Sequence, residues 1–260
     1  CQMHLMWLLV FSSISPYLHA ESTLIRVCDD AGEWPPFTYI NRVDSKSEVE
    51  GYSIDVLREI YNKTDATLVF ELLPWKRCLN STEKGQNFEI ALNASYSEER
   101  NRKFFLSDAY YHINPHYFYS KVKHPKGLNV SDKSDLKNYR VAGLNGYNYT
   151  YWGLEIEDVY TGGIYNYDDL TTRLKRGEFD IFVENIEVIV GFSKIGKDLL
   201  SDNILDYKLV PGMAPTAFYM LFRKDEKGLA LRDFINAGLR DLKSRGRLHQ
   251  LWNKHLSFDK

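Results

Sequence analysis

The segment NASYSEERNRKFFLSDAYY holds the arrangement of side chains best suited to binding a carboxylate. The planar guanidinium of Arg100 can bind a carboxylate through two parallel hydrogen bonds. Asn93 and Ser95 end a predicted strand just before it, and Ser97 is placed to cap the helix that carries it. Arg100 also lies among other charged residues, and such clusters are usually the solvent-exposed face of a helix. Spacing alone leaves both interpretations open and favours the exposed face.

Two tryptophans are candidates for contact with the rest of a ligand. Trp34 in EWPPF and Trp75 in LPWKR each adjoin a proline in a predicted strand-to-helix loop, where binding residues of α/β sheets gather. Tryptophan faces bind cations or flat apolar groups, although a lone tryptophan more often packs in the core. Asp30 is a lesser candidate, and the alternative for it is an ion pair with Arg77 on the rim of the site.

Signatures of the common nucleotide-binding and hydrolytic sites do not occur in the sequence. It has no Gly-Lys-Ser/Thr phosphate loop, no G-x-S-x-G elbow and no dinucleotide fingerprint. His112 and His116 are four residues apart, but Pro115 argues against a helix there and no further metal ligand lies nearby. The sequence therefore predicts neither a metal site nor a cofactor, and places His249 and His255 on the surface of a C-terminal helix.

The composition is that of a folded, water-soluble chain. Of 260 residues 44% are hydrophobic, and the net charge of −2 argues against a nucleic-acid binder, which normally has a basic face. The length allows one large domain or two smaller lobes. The 18 tyrosines and 5 tryptophans suit a site that stacks flat or cationic groups.

The N-terminus has the pattern of a secretory signal peptide. An apolar run from Leu5 to Ile14 is followed by small Ala20 at a predicted cut, so residues 1–20 are predicted to be removed on export to the periplasm. The run is short for a membrane span, and an uncleaved anchor is the alternative. The segment lacks a basic residue at its start, and the chain begins with Cys1.

Export would leave Cys28 and Cys78 as a pair. An even number of cysteines in an exported chain predicts a disulfide, and two buried thiols are the alternative.

Strand-like and helix-like segments alternate along the chain and predict parallel α/β units. The first half has the order strand, helix, strand, helix, strand, which implies parallel pairing and right-handed crossovers. Ser53 is a candidate cap for the first helix, and a later helix is predicted to be capped near Asp168. A long helical tail is predicted to divide at Gly246. The predicted segments are TLIRVCDD, GYSIDVLREIYNK, TLVFELL, PWKRCLNSTEKG, FEIALNAS, YRVAGLN, YNYDDLTTRLKRG and FDIFVEN.

Four segments in the same order resemble the periplasmic solute-binding proteins of family 3, the amino-acid-binding group of ABC importers. EGYSIDVLREI is similar to a G-F-[DE]-x-D signature, with Ser53 in place of the first acid, and SEERNRKFFLSDAYY to T-x-x-R followed by F-S-x-P-Y. RGEFDIFVEN is similar to G-x-x-D-A, and the helical tail to the closing segment of the family. The resemblance runs from about Leu24 to the C-terminus, and is more specific for the fold than for the ligand.

The resemblance implies an α/β, two-lobed periplasmic-binding-protein-like (type II) fold with two crossover hinge strands. Lobe I would comprise 24–114 plus 216–260, and lobe II 115–215. The segments INPHYFYSK and VPGMAPTAFY would be the hinges, closing a cleft over the ligand.

The resemblance also assigns roles to residues. Arg100 matches the arginine that grips the ligand α-carboxylate, with Ser95 and Asn93 completing its shell, and this reverses the preference for an exposed Arg100. Trp34 and Trp75 match aromatic residues that flank the ligand side chain.

The second lobe departs from the family pattern. Asn185 stands where an aspartate usually receives the α-amino group, and adjacent Glu184 should face the opposite side of the strand. Tyr147 replaces a small residue and should narrow the cleft, which places an ordinary α-amino-acid ligand in doubt. Tyr147, with Tyr149 and Trp152, predicts a more aromatic site.

The sequence therefore predicts a monomeric, non-enzymatic, exported protein that captures a small carboxylate-bearing polar solute, an amino acid or a relative, for ABC-type import. The expected partners are that ligand and an ABC permease or a membrane receptor. One alternative is a dehydratase-like enzyme on the same fold with Glu184 as general acid. The other is a ligand-sensing subunit of a membrane receptor.

Overall fold

The computed structural model of the protein describes residues 23–42 and 47–256. Its strands are β1 (Leu24–Asp30), β2 (Tyr39–Asn41), β3 (Glu48–Glu50), β4 (Thr67–Leu73), β5 (Ile90–Ser95), β6 (Phe104–Leu106), β7 (Tyr111–Ile113), β8 (Pro115–Ser120), β9 (Val141–Ala142), β10 (Val159–Tyr160), β11 (Ile181–Asn185), β12 (Leu205–Leu209) and β13 (Thr216–Arg223). Its helices are α1 (Tyr52–Tyr61), α2 (Trp75–Glu83), α3 (Glu98–Lys103), α4 (Tyr167–Lys175), α5 (Ile186–Gly191), α6 (Glu226–Ser244) and α7 (Arg247–Leu256). The predicted signal peptide lies outside the described residues. None of the described helices combines the length and apolar character that crossing a membrane requires.

The first sheet has the strand order β4-β1-β5-β13-β6, with β7 paired to β13. β1 runs parallel to β4 and to β5, which confirms the alternating order read from the sequence. β13 comes from near the C-terminus and runs antiparallel to β5, β6 and β7. The first sheet is therefore completed by a strand distant in sequence from its other members.

The second sheet has the order β10-β9-β11-β8-β12. β9 is parallel to β10 and β11, whereas β8 is antiparallel to β11 and β12. The chain passes between the sheets at β7–β8 and again at β12–β13. The predicted α/β two-lobed architecture is confirmed, and the residue boundaries of the lobes stay a prediction. We call the first-sheet side lobe I and the second-sheet side lobe II.

Helices α1, α6 and α7 cover lobe I on one side, because their apolar faces pack on the sheet and on each other. Gly246, with φ of 68°, separates α6 from α7 as predicted. The predicted surface position of His255 is wrong. Its side chain is buried, and its Nε2 lies 2.8 Å from Oδ2 of Asp55 on α1, so it ties α7 to α1.

The helix caps differ in part from the sequence prediction. Ser97 caps α3 as predicted, since its Oγ accepts a hydrogen bond from the backbone N–H of Arg100 at 3.1 Å. Ser53 does not cap α1, because it lies inside the helix and its buried hydroxyl bonds to Asn93. The cap predicted near Asp168 is Asn166, two residues earlier, whose side chain accepts from the backbone N–H of Asp169 in α4.

The predicted disulfide between Cys28 and Cys78 is confirmed. It joins the end of β1 to the middle of α2. Both elements carry residues of the site described next.

Candidate ligand-binding site

One cavity between the lobes brings together the candidate residues of the sequence analysis. It has about 510 Å³ of space free of protein atoms, including its opening to solvent. The residues predicted to bind ligand that line it are Arg100, Ser95, Asn93, Trp34, Trp75, Tyr147, Asn185, Glu184 and Asp30. Asp29, Asn148, Tyr149, Trp152 and Phe218 complete the wall.

Arg100 is a buried cation, with 8% of its surface exposed. Its Nη1 donates to the backbone oxygen of Ser95 at 2.8 Å and to the Ser95 hydroxyl at 3.0 Å. Its guanidinium carbon lies 5.6 Å from the ring centre of Trp75. Burial lowers the pKa of Arg100 to about 10, so it stays charged at neutral pH. The interpretation of Arg100 as a solvent-exposed charge is wrong.

No carboxylate of residues 23–42 and 47–256 forms an ion pair with Arg100. A buried charge without a counterion is costly, and an anion bound from solution would offset that cost. Asn148 of lobe II approaches the same place, since its Nδ2 donates to the backbone oxygen of Tyr96 at 2.9 Å. Both lobes therefore close around the Arg100 guanidinium.

Asn93 lines the cavity, but protein groups already occupy its amide. Its Nδ2 donates to Asp29 at 2.5 Å and to Thr38 at 2.7 Å. Its Oδ1 accepts three hydrogen bonds, from the hydroxyls of Ser53 (2.6 Å), Tyr110 (2.7 Å) and Tyr111 (2.9 Å). A side chain bonded in this way can hold its neighbours in place, but it has little capacity left for a ligand.

Two acids end β1 inside the cavity. Burial raises the pKa of Asp29 to about 7 and also raises the pKa of Asp30. Asp30 accepts hydrogen bonds from the backbone N–H of Gly32 at 3.1 Å and from the hydroxyl of Tyr147 at 2.8 Å. The alternative of a rim ion pair between Asp30 and Arg77 is wrong, because Asp30 is buried and bonds across the cleft to lobe II.

Glu184 and Asn185 both line the cavity, so the expectation that they face opposite sides is wrong. β11 ends at Asn185 and α5 follows at once, so strand alternation no longer applies there. Oε1 of Glu184 accepts from the backbone N–H and the Nδ2 of Asn185 at 2.7 and 3.1 Å, and its Oε2 accepts from the Tyr167 hydroxyl at 2.6 Å. Burial raises the pKa of Glu184 to about 7. Oδ1 of Asn185 is buried without a hydrogen-bond partner among the described groups.

The aromatic side chains of the wall pack mainly on one another. The indole N–H of Trp34 donates to the hydroxyl of Tyr111 at 3.2 Å. Its ring lies 5.9 Å from Tyr147, 6.3 Å from Tyr167 and 5.6 Å from Phe218, between centroids. Tyr147 packs against each of three apolar clusters found among the described residues, so it joins the two lobes across the cleft.

A second interlobe contact depends on a glycine. Gly191 in α5 approaches the backbone of Pro35 so closely that an added Cβ would lie 2.3 Å from the Pro35 oxygen. A side chain at this position would therefore keep the lobes apart.

The sequence over residues 25–258 matches the family model of bacterial extracellular solute-binding proteins, family 3. The chain belongs to this family. The resemblance read from the four segments is thereby confirmed.

One relative and two solved structures that resemble the chain share 17–27% sequence identity with it. A probable histidine-binding protein of Neisseria gonorrhoeae is 27% identical over 119 residues, which are 46% of this chain and 41% of that protein. The substrate-binding protein of an amino acid ABC transporter has a TM-score of 0.72 at 19% identity, covering 90% of this chain and 100% of the other. An ancestral amino-acid-binding protein, described as a precursor of cyclohexadienyl dehydratase, has a TM-score of 0.68 at 17% identity over 90% of this chain and 96% of its own. At these identities the two structures show the shared fold alone.

The sequence analysis did not name Asp29, Asn148 and Phe218, which also line the cavity. Asp29 could have been found, because it adjoins Asp30 at a strand end. Phe218 could not, since it reaches the cavity through β13, a strand distant in sequence from the other residues of the wall.

Proposed function

We propose that the protein captures a small solute carrying a carboxylate and an amino group, an amino acid or a close relative, in the cavity between its lobes. It would work outside the cytoplasm, in the periplasm, and hand the solute to an ABC-type permease. The observation that carries the proposal is the Arg100 guanidinium, which is buried, charged and without an acidic partner in the described part of the chain.

The two ends of such a ligand have matching groups. Arg100 and the Ser95 hydroxyl offer donors to a carboxylate. Across the cavity, Oδ1 of Asn185 is an open acceptor for an ammonium N–H. Glu184 is bonded to the same amide and has a pKa raised by burial to about 7, so a bound ammonium would favour its ionised form and gain negative charge beside it. In this proposal Glu184 takes the place of the missing family aspartate, which supports an α-amino-acid ligand despite the departures in the second lobe.

Titration calorimetry and thermal-shift measurements with the common amino acids and related acids test this proposal. Arg100→Ala should reduce the affinity for an authentic ligand by about 2–5 kcal/mol, because it removes a charge-assisted contact. Arg102→Ala, an exposed change on the same helix, is the matched control and should have no effect. Unchanged affinity in Arg100→Ala would show that the carboxylate lies elsewhere.

One observation favours an enzymatic alternative. Glu184 is buried in the cavity with a pKa raised to about 7, a value that suits a general acid. Incubation with prephenate-like cyclic acids, followed by chromatography of the products, tests for dehydration. Glu184→Gln is the control that should abolish any turnover seen.

A further inference from the structure

Three acids and one cation, Arg100, line the cavity. Each of the three acids already accepts hydrogen bonds from protein groups. Asp29 accepts from the backbone N–H of Asp30 at 2.9 Å and from Asn93 at 2.5 Å. Glu184 accepts from Tyr167 and from Asn185. Asp30 has the Gly32 N–H on Oδ1 and the Tyr147 hydroxyl on Oδ2.

The faces of the aromatic residues offer little more to a cation. The Trp75 ring is in contact with the Arg100 guanidinium. Trp34 has rings of Tyr147, Tyr167 and Phe218 around it within 6.3 Å. The tryptophan faces predicted to contact cations or flat apolar groups are thus largely occupied by the protein itself.

The hydrogen bond between Tyr147 and Asp30 differs from the other contacts in two ways. It crosses the cleft, and its donor, Tyr147, is a residue that departs from the family pattern. Its donor comes from lobe II and its acceptor from β1 of lobe I. A small residue at position 147 would leave Oδ2 of Asp30 open toward the cavity. A positively charged ligand side chain would be the natural partner of that oxygen.

We propose that Tyr147 is a specificity-determining residue, which binds Asp30 and thereby makes the site discriminate against amino acids with cationic side chains. A lysine-like or arginine-like ligand would have to displace the tyrosine hydroxyl before it reached the carboxylate. Otherwise the positive charge of the ligand side chain would be buried without a partner, and the cost of burying it would lower the affinity strongly. This inference rests on the proposed function, because it assumes that Arg100 holds the α-carboxylate.

Pairs of amino acids with nearly the same shape but different charge test the inference. Citrulline and arginine form one pair, norleucine and lysine another, and norvaline and ornithine a third. Calorimetry should show the neutral member of a pair binding at least about tenfold more tightly to the wild-type protein. Tyr147→Phe keeps the ring against Trp34 but frees the Asp30 carboxylate. The ratio of the affinity for the neutral member to that for the cationic member should therefore fall by about tenfold.

The two affinities of a pair are measured on the same variant, so a general loss of stability lowers both of them and leaves their ratio interpretable. Tyr165→Phe, at a tyrosine with 66% of its surface exposed, is the matched control and should keep the wild-type ratio. The double variant Tyr147→Phe/Asp30→Asn should regain a preference for neutral ligands, because the freed carboxylate is gone.

Three results would overturn the inference. One is equal or tighter binding of the cationic member by the wild-type protein. Another is a ratio that Tyr147→Phe leaves unchanged, and the third is no binding of any neutral member. The first two leave the proposed function intact, whereas an amino-acid affinity that does not respond to Arg100→Ala refutes the carboxylate assignment on which both depend.

Discussion

Removal of the disulfide should weaken both the fold and the binding site. The double variant Cys28→Ala/Cys78→Ala opens a covalent loop whose ends are 50 residues apart. In the chain-entropy description a loop of this length restricts the unfolded state by about 4 kcal/mol. At about 2–4 °C per kcal/mol for a chain of this size, the melting temperature should fall by roughly 8–16 °C.

The bridge also holds two parts of the cavity wall together. Cys28 is followed directly by the two cavity acids of β1, and Trp75 lies one turn before Cys78 on α2. Because Trp75 contacts the Arg100 guanidinium, a displaced α2 should reduce ligand affinity as well as stability.

Urea unfolding and calorimetric ligand binding, each with and without dithiothreitol, measure both effects. The reductant should destabilise the wild-type protein and have no effect on the double variant, which serves as its control. The reasoning fails if the variant unfolds within about 0.5 kcal/mol of the wild type, or if the reductant weakens both proteins equally.

Two further predictions concern the cavity and the lobe contact. The raised pKa of Glu184 means that its contribution to stability is fully present below its ordinary pKa of 4.5 and is lost as the pH rises through about 7. Between pH 5 and pH 8, wild-type protein without ligand should therefore lose more unfolding free energy than Glu184→Gln, by up to about 3 kcal/mol in urea titrations; parallel losses would contradict the burial argument. Gly191→Ala should lower ligand affinity at least about tenfold and increase the radius of gyration in X-ray scattering, because its methyl group meets the Pro35 backbone. Ser193→Ala, an exposed change next to α5, is its control, and an unaltered affinity in Gly191→Ala would show that the lobe contact is dispensable.

Local signals carried most of what the sequence could predict. Arg100 follows a capping serine and a strand end, and Cys28 and Cys78 form the one pair left after the predicted export signal. Such features depend on a few neighbouring residues, so pattern and family resemblance suffice to find them.

The prediction failed where tertiary contacts decide. The bond from Tyr147 to Asp30 joins residues 117 positions apart, and no periodicity encodes it. Strand alternation misplaced Glu184 relative to Asn185 because β11 ends there. His255 was predicted on the surface of its helix, yet it is buried against Asp55, a residue 200 positions away in the sequence.

The position of β13 has a consequence for how the chain is made. A nascent chain that has reached only residue 215 holds β5, β6 and β7 without the strand that pairs with all three. Unpaired strand edges are templates for intermolecular pairing, and such distant contacts form slowly. Lobe I can therefore acquire its native sheet only after most of the chain has left the ribosome. Fragments ending before Thr216 should therefore aggregate, because the edges that β13 covers in the whole protein stay unpaired in them.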